Sequence, residues 1–421
     1  MSYTAEIIGV GTELLLGNIA NTDAQVISQG LSALGINVYY HTVVGDNPER
    51  LKKALNIAKN RADIIITTGG LGPTYDDLTK QTLAEAFGKK LVMHEPSAER
   101  IRSYFRQNPN RVMTENNFRQ AMLPEGCAIF DNDWGTAPGC AFLAEETYVI
   151  MLPGPPRECT SMFQHCIVPF LKTLSDAAIF SRSIRIFGMG EPMVEQKLQA
   201  FMTTMENPTL APYAKEGEVM LRVTAKAQTM AEAREMTGPV IDWVKSTLGD
   251  VVYGLDVDSL EETVLQLLAQ QGKTLSAAES CTGGLFSKRM TDLPGASKVF
   301  KGGIVSYSNE AKKSLLSVPS QLLAEKGAVS AEAALSMASG ARKALDTDLA
   351  VGITGVAGPE PDERNTPVGR VYIALAAPEG EWVRSIQIGR DRRWIRNLAA
   401  HHGFDMVRRY LTGLDLSLEE K

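Results

Sequence analysis

From residue 5 onward the chain alternates short apolar runs with amphipathic stretches, the pattern of strands layered against helices. AEIIGVG (5–11) reads as a buried strand, and Asn21 or Thr22 caps a helix that ends near Gly35. NVYYHTVVG (37–45) predicts the next strand. Asn47 followed by Pro48 opens a helix to about residue 60, because proline suits the first helical position. ADIIITT (62–68) is a third strand, and a glycine-rich loop leads from it into a helix ending near Gly88. Residues 95–120 read as basic and irregular, with Arg100, Arg102, Arg106, Arg111 and Arg119. The first domain is expected to close near residue 175, after LPGPPRE (152–158) and one more helix.

Between about 178 and 253 the pattern changes: SIRIFGMG, VMLRVTAKA and a helix containing Trp243 predict a small α+β module. Ser259 with Glu262 forms a capping box that starts the last domain, and Leu260, Val264, Leu267 and Leu268 are its apolar stripe. Then follow the strand TLSAAE, a helix, the strand GGIVSYS, two helices, the strand DLAVGITG, two more strands and a helix. The expectation is an α/β protein: two three-layer α/β domains, 1–175 and 254–421, flanking a small α+β module at 176–253.

With 43 basic and 49 acidic residues the net charge is −6, so there is no electrostatic reason to expect DNA or an anionic membrane as a partner. Five cysteines, at 127, 140, 159, 166 and 281, form no C-x-x-C pair, and the five histidines no zinc-type spacing. There is no basic leader at the N-terminus and no apolar run of about 18–20 residues, so a reducing cytoplasm is the expected location.

In the last domain, TLSAAESCTGGLFSK (274–288) places Ser280, Cys281 and Thr282 after a strand, with Gly283 and Gly284 opening a helix. Small hydroxyls at such a junction sit where N–H groups converge, which suits an anion or an oxyanion. A second strand ends at Tyr307 and Ser308, and Asn309 caps a helix whose first turn carries Lys312. A third ends at Thr354 in a glycine-rich turn. Three strand ends thus bring Ser, Tyr with Lys, and Thr to one edge of a sheet, where open α/β folds bind ligands. Ser280 with a desolvated, neutral Lys312 suits amide hydrolysis. The plainer reading is that Ser280 and Thr282 cap a helix, Lys312 is solvated and Cys281 is a small core residue.

In the first domain, TTGGLGPTYDDLTKQTLAEAFG (67–88) joins a strand, a glycine loop and a helix N-terminus bearing Asp76 and Asp77. Glycines let backbone approach a phosphate, and paired carboxylates beside phosphates hold a divalent cation. Alternatively both aspartates complement the helix dipole. The loop is not a Walker A motif.

The segments ESCTGG (279–284), GGIVSYSNEAKK (302–313), GAVS (327–330), GITGVAGP (352–359), PVG (367–369) and Gly389 with Asp391-Arg392 resemble the C-terminal domain of the CinA family. The resemblance implies a nicotinamide mononucleotide amidohydrolase, giving nicotinate mononucleotide and ammonia. It implies Ser280 as nucleophile, Lys312 as its base, and Tyr307 and Thr354 as residues orienting substrate and base. Thr282, Gly283 and Gly284 are implied at the substrate, and Arg392 as a phosphate or active-site contact among Arg390, Arg393 and Arg396. One departure stands out: the family's G-P-x-G-G is here Gly358-Pro359-Glu360-Pro361-Asp362, which removes a glycine pair from the loop and restricts its backbone.

GTELLLG (11–17), TGGLGPTYDDLT (68–79), ENNFRQAMLPEG (115–126), GTAPG (135–139) and LPGPPRE (152–158) are similar to the molybdopterin-binding-like domain at the front of CinA. GMGEPMVEQKL (188–198) and PYAKEGEVMLRVTA (212–225) resemble its KH-like middle module. For the front domain the resemblance implies ADP-ribose pyrophosphatase activity, yielding AMP and ribose 5-phosphate. It would use a divalent metal, cobalt or magnesium, with potassium. Asp76 and Asp77 are the metal candidates; Glu13, Asn117, Gln120, Gly69, Gly70 and Gly72 are the pocket candidates. A non-catalytic partner domain is the alternative for this front part. Small-molecule nucleotides are the expected partners, in a homodimer. The rival readings for the whole chain are a molybdopterin-handling binding protein or transferase, and a non-enzymatic scaffold for DNA uptake or repair.

Overall fold

The structure is a computed structural model that describes residues 3–416 apart from 109, 111 and 175–177, so Arg111 lies outside the described residues. The chain forms two compact units, Met1–Phe180 with Ala225–Glu235, and Ser181–Thr224 with Met236–Lys421.

In the first unit, strands β1 (Thr4–Val10), β2 (Asn37–Val44), β3 (Ile64–Thr68), β4 (Ala128–Phe130), β5 (Gly139–Ala144) and β6 (Thr147–Leu152) form one sheet in the order β2-β1-β3-β6-β5-β4. Strands β2, β1, β3 and β6 are parallel, and β5 and β4 add an antiparallel edge. Both faces are covered, which is why the inner strands read as unbroken apolar runs. Ile7, Ile64, Ile66 and Ile150 enter one core, while Ile8, Ile65, Val149 and Met151 enter the other. Helix α1 (Thr22–Ala33) is capped by Asn21 and α2 (Pro48–Ala58) by Asn47, whose side chains accept from Ala24 N and Arg50 N. Helix α3 (Thr79–Ala86) follows the glycine loop, α4 (Glu95–Gln107) comes next, and α5 (Pro156–Met162) follows β6.

The stretch expected to be irregular starts with that regular helix, α4 (Glu95–Gln107), capped by His94 with a proline in its first turn. Its arginines serve its own surface: Arg102 and Arg106 pair with Glu99, and Arg100 with Asp131 and Asp133. These three arginines are therefore held in exposed ion pairs.

The middle module runs β7 (Ala178–Ile186), α6 (Glu191–Thr204), β8 (Thr209–Lys215), β9 (Glu218–Ala227), α7 (Met230–Leu248) and β10 (Val252–Leu255), with sheet order β8-β9-β7-β10. It has its own core of Ile184, Ile186, Val194, Leu198, Leu221 and Val244. Phe187 and Tyr253, however, belong to the core of the last domain, so module and domain are welded within the second unit.

The last domain begins with α8 (Leu260–Gln271). Ser259 accepts from Glu262 N, but the Glu262 carboxylate returns to Asp258 N in place of Ser259 N. Then come β11 (Leu275–Glu279), α9 (Leu285–Thr291), β12 (Phe300–Val305), α10 (Asn309–Leu316), α11 (Ser320–Lys326), α12 (Ala331–Ala344), β13 (Leu349–Gly355), β14 (Arg370–Ala377), β15 (Gly380–Gln387) and α13 (Arg392–Leu411). Three helices, not two, thus separate β12 from β13, and Ser308, not Asn309, caps α10. The sheet order is β12-β11-β13-β14-β15. Its first three strands are parallel, and β14 and β15 are antiparallel. Leu275, Ala277, Val351 and Ile353 face a core shared with Leu260, Phe286 and Phe404, while Ala278 and Ala350 face Leu316 and Met337. The chain leaves β11 for one neighbour, β12, and later returns to the other side at β13, which opens a crevice at the carboxyl ends of these strands. No helix of the described residues is long and apolar enough to cross a membrane.

Candidate functional site

The crevice of the last domain is built from the turn after β11. Ser280 is pinned to the neighbouring strand by its N–H donating to Ile353 O at 2.9 Å. Gly283 and Gly284 then take φ of +58° and +91°, turning the chain into α9. Lys312, on α10, is 1% exposed, with Nζ 3.1 Å from Ser280 Oγ and donating to Ser306 O at 2.8 Å. Burial pushes its pKa below the usual lysine value. A carbonyl on one side and a hydroxyl on the other give a neutral amine two complementary partners, and no carboxylate among the described residues is hydrogen-bonded to it. The reading of Lys312 as a solvated first-turn lysine is thereby excluded.

The sequence placed converging N–H groups at the start of α9, free for an anion, and the structure corrects this. Glu279, fully buried, accepts from Gly284 N (2.9 Å), Phe286 N (3.1 Å), Ser287 N (2.9 Å) and Ser287 Oγ (2.6 Å). An internal carboxylate thus occupies the positive end of the helix. What the turn still offers is the N–H groups of Cys281 and Thr282, from which no backbone carbonyl among the described residues accepts. The Thr282 and Ser306 hydroxyls are buried without a hydrogen-bond partner among the described residues. Cys281 is buried, and burial pushes its thiol up to about 12, which makes it a core residue next to the nucleophile and not a rival to it.

Arg392 reaches the crevice from the first turn of α13: it donates to Gly358 O at 2.6 Å and to Tyr307 Oη at 3.2 Å. Arg396, one turn on, donates to Thr282 O at 2.6 Å. Arg393 points instead to Glu216, and Arg390 lies over the Trp394 ring. Tyr307 is 64% exposed at the rim. The Thr354 hydroxyl is buried and donates to Ala328 O at 2.7 Å, so it ties β13 to the GAVS segment and is not in hydrogen-bond contact with Ser280 or Lys312. The loop that lost its glycine pair closes without left-handed backbone at 360–363. Asp362 accepts from Arg364 N and Thr366 N, and the Arg364 guanidinium caps the carbonyls of Leu323, Ala324 and Glu325 at the end of α11.

In the first unit, Gly69 and Gly70 take φ of +93° and +67° after β3, and a Cβ on Gly69 would lie 2.2 Å from Val10 O, so the turn needs glycine. Asp76 and Asp77 precede the helix and do not sit in its first turn, because Leu78 is the N-cap. Both carboxylates bend back onto Thr74, whose hydroxyl donates to each and whose N–H donates to Asp77 Oδ2 at 2.8 Å; Gly72 lies against Asp77. Among the described residues no group of three or more His, Cys, Asp or Glu side chains could hold a metal. Asn117 accepts from Thr114 N and Thr114 Oγ1 and so closes its own turn, while the Gln120 amide oxygen is buried without a partner. Glu13 lines a small cleft with Asn21, Asp23, Thr68 and Gly154. Lys80, which the sequence reading passed over, is buried and donates to Arg119 O and Gln120 O, both at 2.8 Å; burial pushes it down to about 8.

Comparison with known proteins finds a match for each of the three parts of the chain. Residues 257–411 match the family model described as the CinA C-terminal domain, 181–254 the "Damage-inducible protein CinA KH domain", and 6–173 the "Probable molybdopterin binding domain". A CinA-like protein of Dictyoglomus turgidum is 48% identical over 409 residues, covering 97% of this chain and 99% of its own. A CinA-like protein of Kosmotoga olearia is 47% identical over 410 residues, covering 97% of this chain and 99% of its own. Among solved structures, CinA from Thermoplasma acidophilum aligns with a TM-score of 0.37 at 30% identity, covering 41% of this chain and 99% of that one. Similarity along nearly its whole length to CinA-like proteins, together with the three family matches along it, places the chain in the CinA family.

Proposed function

We propose that the last domain hydrolyses the carboxamide of nicotinamide mononucleotide to nicotinate mononucleotide and ammonia. The observation that carries this reading is the buried Lys312 amine 3.1 Å from the Ser280 hydroxyl. A neutral amine takes the proton as Ser280 Oγ attacks the amide carbon, and it returns that proton to the departing ammonia. The tetrahedral oxyanion has the Cys281 and Thr282 N–H groups within the same turn to stabilise it. Water then attacks the ester carbonyl with Lys312 again as base, releasing the acid and restoring Ser280. Arg392 and Arg396 supply the positive charge that a nucleotide phosphate requires, since Glu279 has taken the helix end. The test is ammonia release from nicotinamide mononucleotide by the purified chain; a folded protein that releases none overturns the reading.

For the first unit, the glycine turn and the acidic loop support the hydrolysis of ADP-ribose to AMP and ribose 5-phosphate. Two carboxylates with a hydroxyl fit a hard divalent ion that keeps waters and is completed by substrate phosphates; they do not form a closed metal cage. Asp76 and Asp77 would hold that ion, which would supply charge neutralisation at the pyrophosphate. Chelation is expected to abolish ADP-ribose cleavage, and Asp76→Asn with Asp77→Asn to lower it by about 100-fold, as for loss of an electrostatic clamp. Cleavage that persists without divalent metal discards this assignment.

A further inference from the structure

The tip of the β8–β9 hairpin in the middle module is seated on α13. Glu216 Oε1 accepts from Asn397 Nδ2 at 2.8 Å, and its Oε2 lies 3.4 Å from Arg393. Two residues on, Glu218 Oε1 lies 3.0 Å from His401 Nε2 and the same carboxylate accepts from Tyr253 Oη at 2.8 Å. Gly217 between them has φ of +80°, and a Cβ there would lie 2.9 Å from the Leu398 side chain. The Phe187 ring stacks on His401, with centroids 5.7 Å apart, which holds the far end of the same contact.

Residues 393, 397 and 401 recur every fourth position and form one stripe along α13. Arg392 and Arg396 lie on the adjoining stripe, one residue earlier. The turns of helix that the hairpin grips on one side therefore hold, on the other, Gly358 O, Tyr307 Oη and Thr282 O. Rotation or sliding of that helix end moves both stripes together, because a hydrogen-bonded helix is stiff at this length.

We propose that the hairpin tip, through Glu216 and Glu218, is a positioning element for the amidase site, setting the register of Arg392 and Arg396 against the substrate's phosphate. This rests on the amidase reading above. Neither glutamate is a catalytic residue: both act through α13. The effect should therefore fall on binding of the phosphorylated substrate and leave the Ser280–Lys312 chemistry alone.

The test compares the full chain with Glu216→Ala/Glu218→Gln, measuring kcat and KM for nicotinamide mononucleotide and for the same nucleoside lacking its phosphate. The expected result is a KM for the mononucleotide raised about tenfold, the scale of one weakened charge-assisted hydrogen bond, with kcat and the phosphate-free substrate unchanged. Glu216→Gln, which keeps an acceptor for Asn397, is expected to recover most of the loss. An unchanged KM, or an equal loss on both substrates, overturns the proposal. Should the double variant fold poorly, Glu216→Ala alone decides, since that carboxylate is 37% exposed at the rim of the contact. A parent chain without ammonia release instead overturns the amidase reading itself.

Discussion

Lys312→Met is expected to lower the rate of amide hydrolysis by about 10³- to 10⁴-fold without loss of fold. Methionine fills the space of the lysine stem as far as Cε and removes a buried amine whose hydrogen-bonding partners are a hydroxyl and a carbonyl. Ser280→Ala is expected to show a loss of the same size, and the double variant no greater loss than either single one, because nucleophile and base act as a unit. The pH dependence gives an independent check. Burial lowers the Lys312 pKa below 10.5, so the active neutral form accumulates as pH rises through the lowered value, and the rate should climb to a plateau. Between that value and 10.5 the unfolded chain binds more protons than the folded one. The associated stability is fully present above the unfolded pKa and is lost as pH falls through the folded one, and Lys312→Met should abolish this slope. Ammonia release that survives in Lys312→Met would remove the base from the mechanism.

Glu279→Ala is expected to destabilise the second unit by about 3–5 kcal/mol, because it leaves a cavity and orphans buried donors around the nucleophile turn. Three N–H groups and one hydroxyl lose their acceptor at once. Urea unfolding followed by circular dichroism measures this directly. A loss below about 1 kcal/mol would mean that water replaces the carboxylate cheaply and that Glu279 is not what holds Ser280 in place.

Both residues were present in the motif read from the sequence, yet only one was given its part. Ser280, Tyr307, Lys312 and Thr354 stood out because hydroxyls and a lysine at the ends of apolar strands are easy to see, and strand ends share an edge. Glu279 did not, because its partners are backbone amides of the following turn, and backbone geometry leaves little trace in residue types. Arg396 is named beside Arg392, but its separation from Arg393 needs the helix phase of α13, which is set by the N-cap Asp391. Thr354 was legible as a strand-end hydroxyl, whereas its bond to Ala328 depends on where the chain returns after α11.

The first unit shows the same division. Strands β1, β2 and β3 are legible from apolar runs and helices α1 and α2 from Asn21 and Asn47, whereas β4, β5 and β6 go unread in the sequence. Asp76 and Asp77 read as part of a helix they only precede, because the N-cap is the next residue, Leu78. The arginines make residues 95–120 read as irregular, although His94, Pro96, Ala98 and Ile101 mark a capped helix with a buried face over Glu95–Gln107. Lys80 was missed because its acceptors are two main-chain carbonyls contributed from 119 and 120.

The placement of Arg392 and Arg396 on the final helix has a consequence for the order in which the domain becomes selective. Ser280 and Lys312 are 32 residues apart, whereas Arg396 reaches back 114 residues to Thr282. Contacts between near neighbours form early and cheaply, and distant ones wait on loop closure. On a growing or refolding chain, then, the serine and its base can meet while the positive charge is still absent. Such an intermediate would hold a reactive hydroxyl with no means of choosing an anionic substrate. Discrimination arrives with the last helix, and losing that helix would cost choice before it cost chemistry.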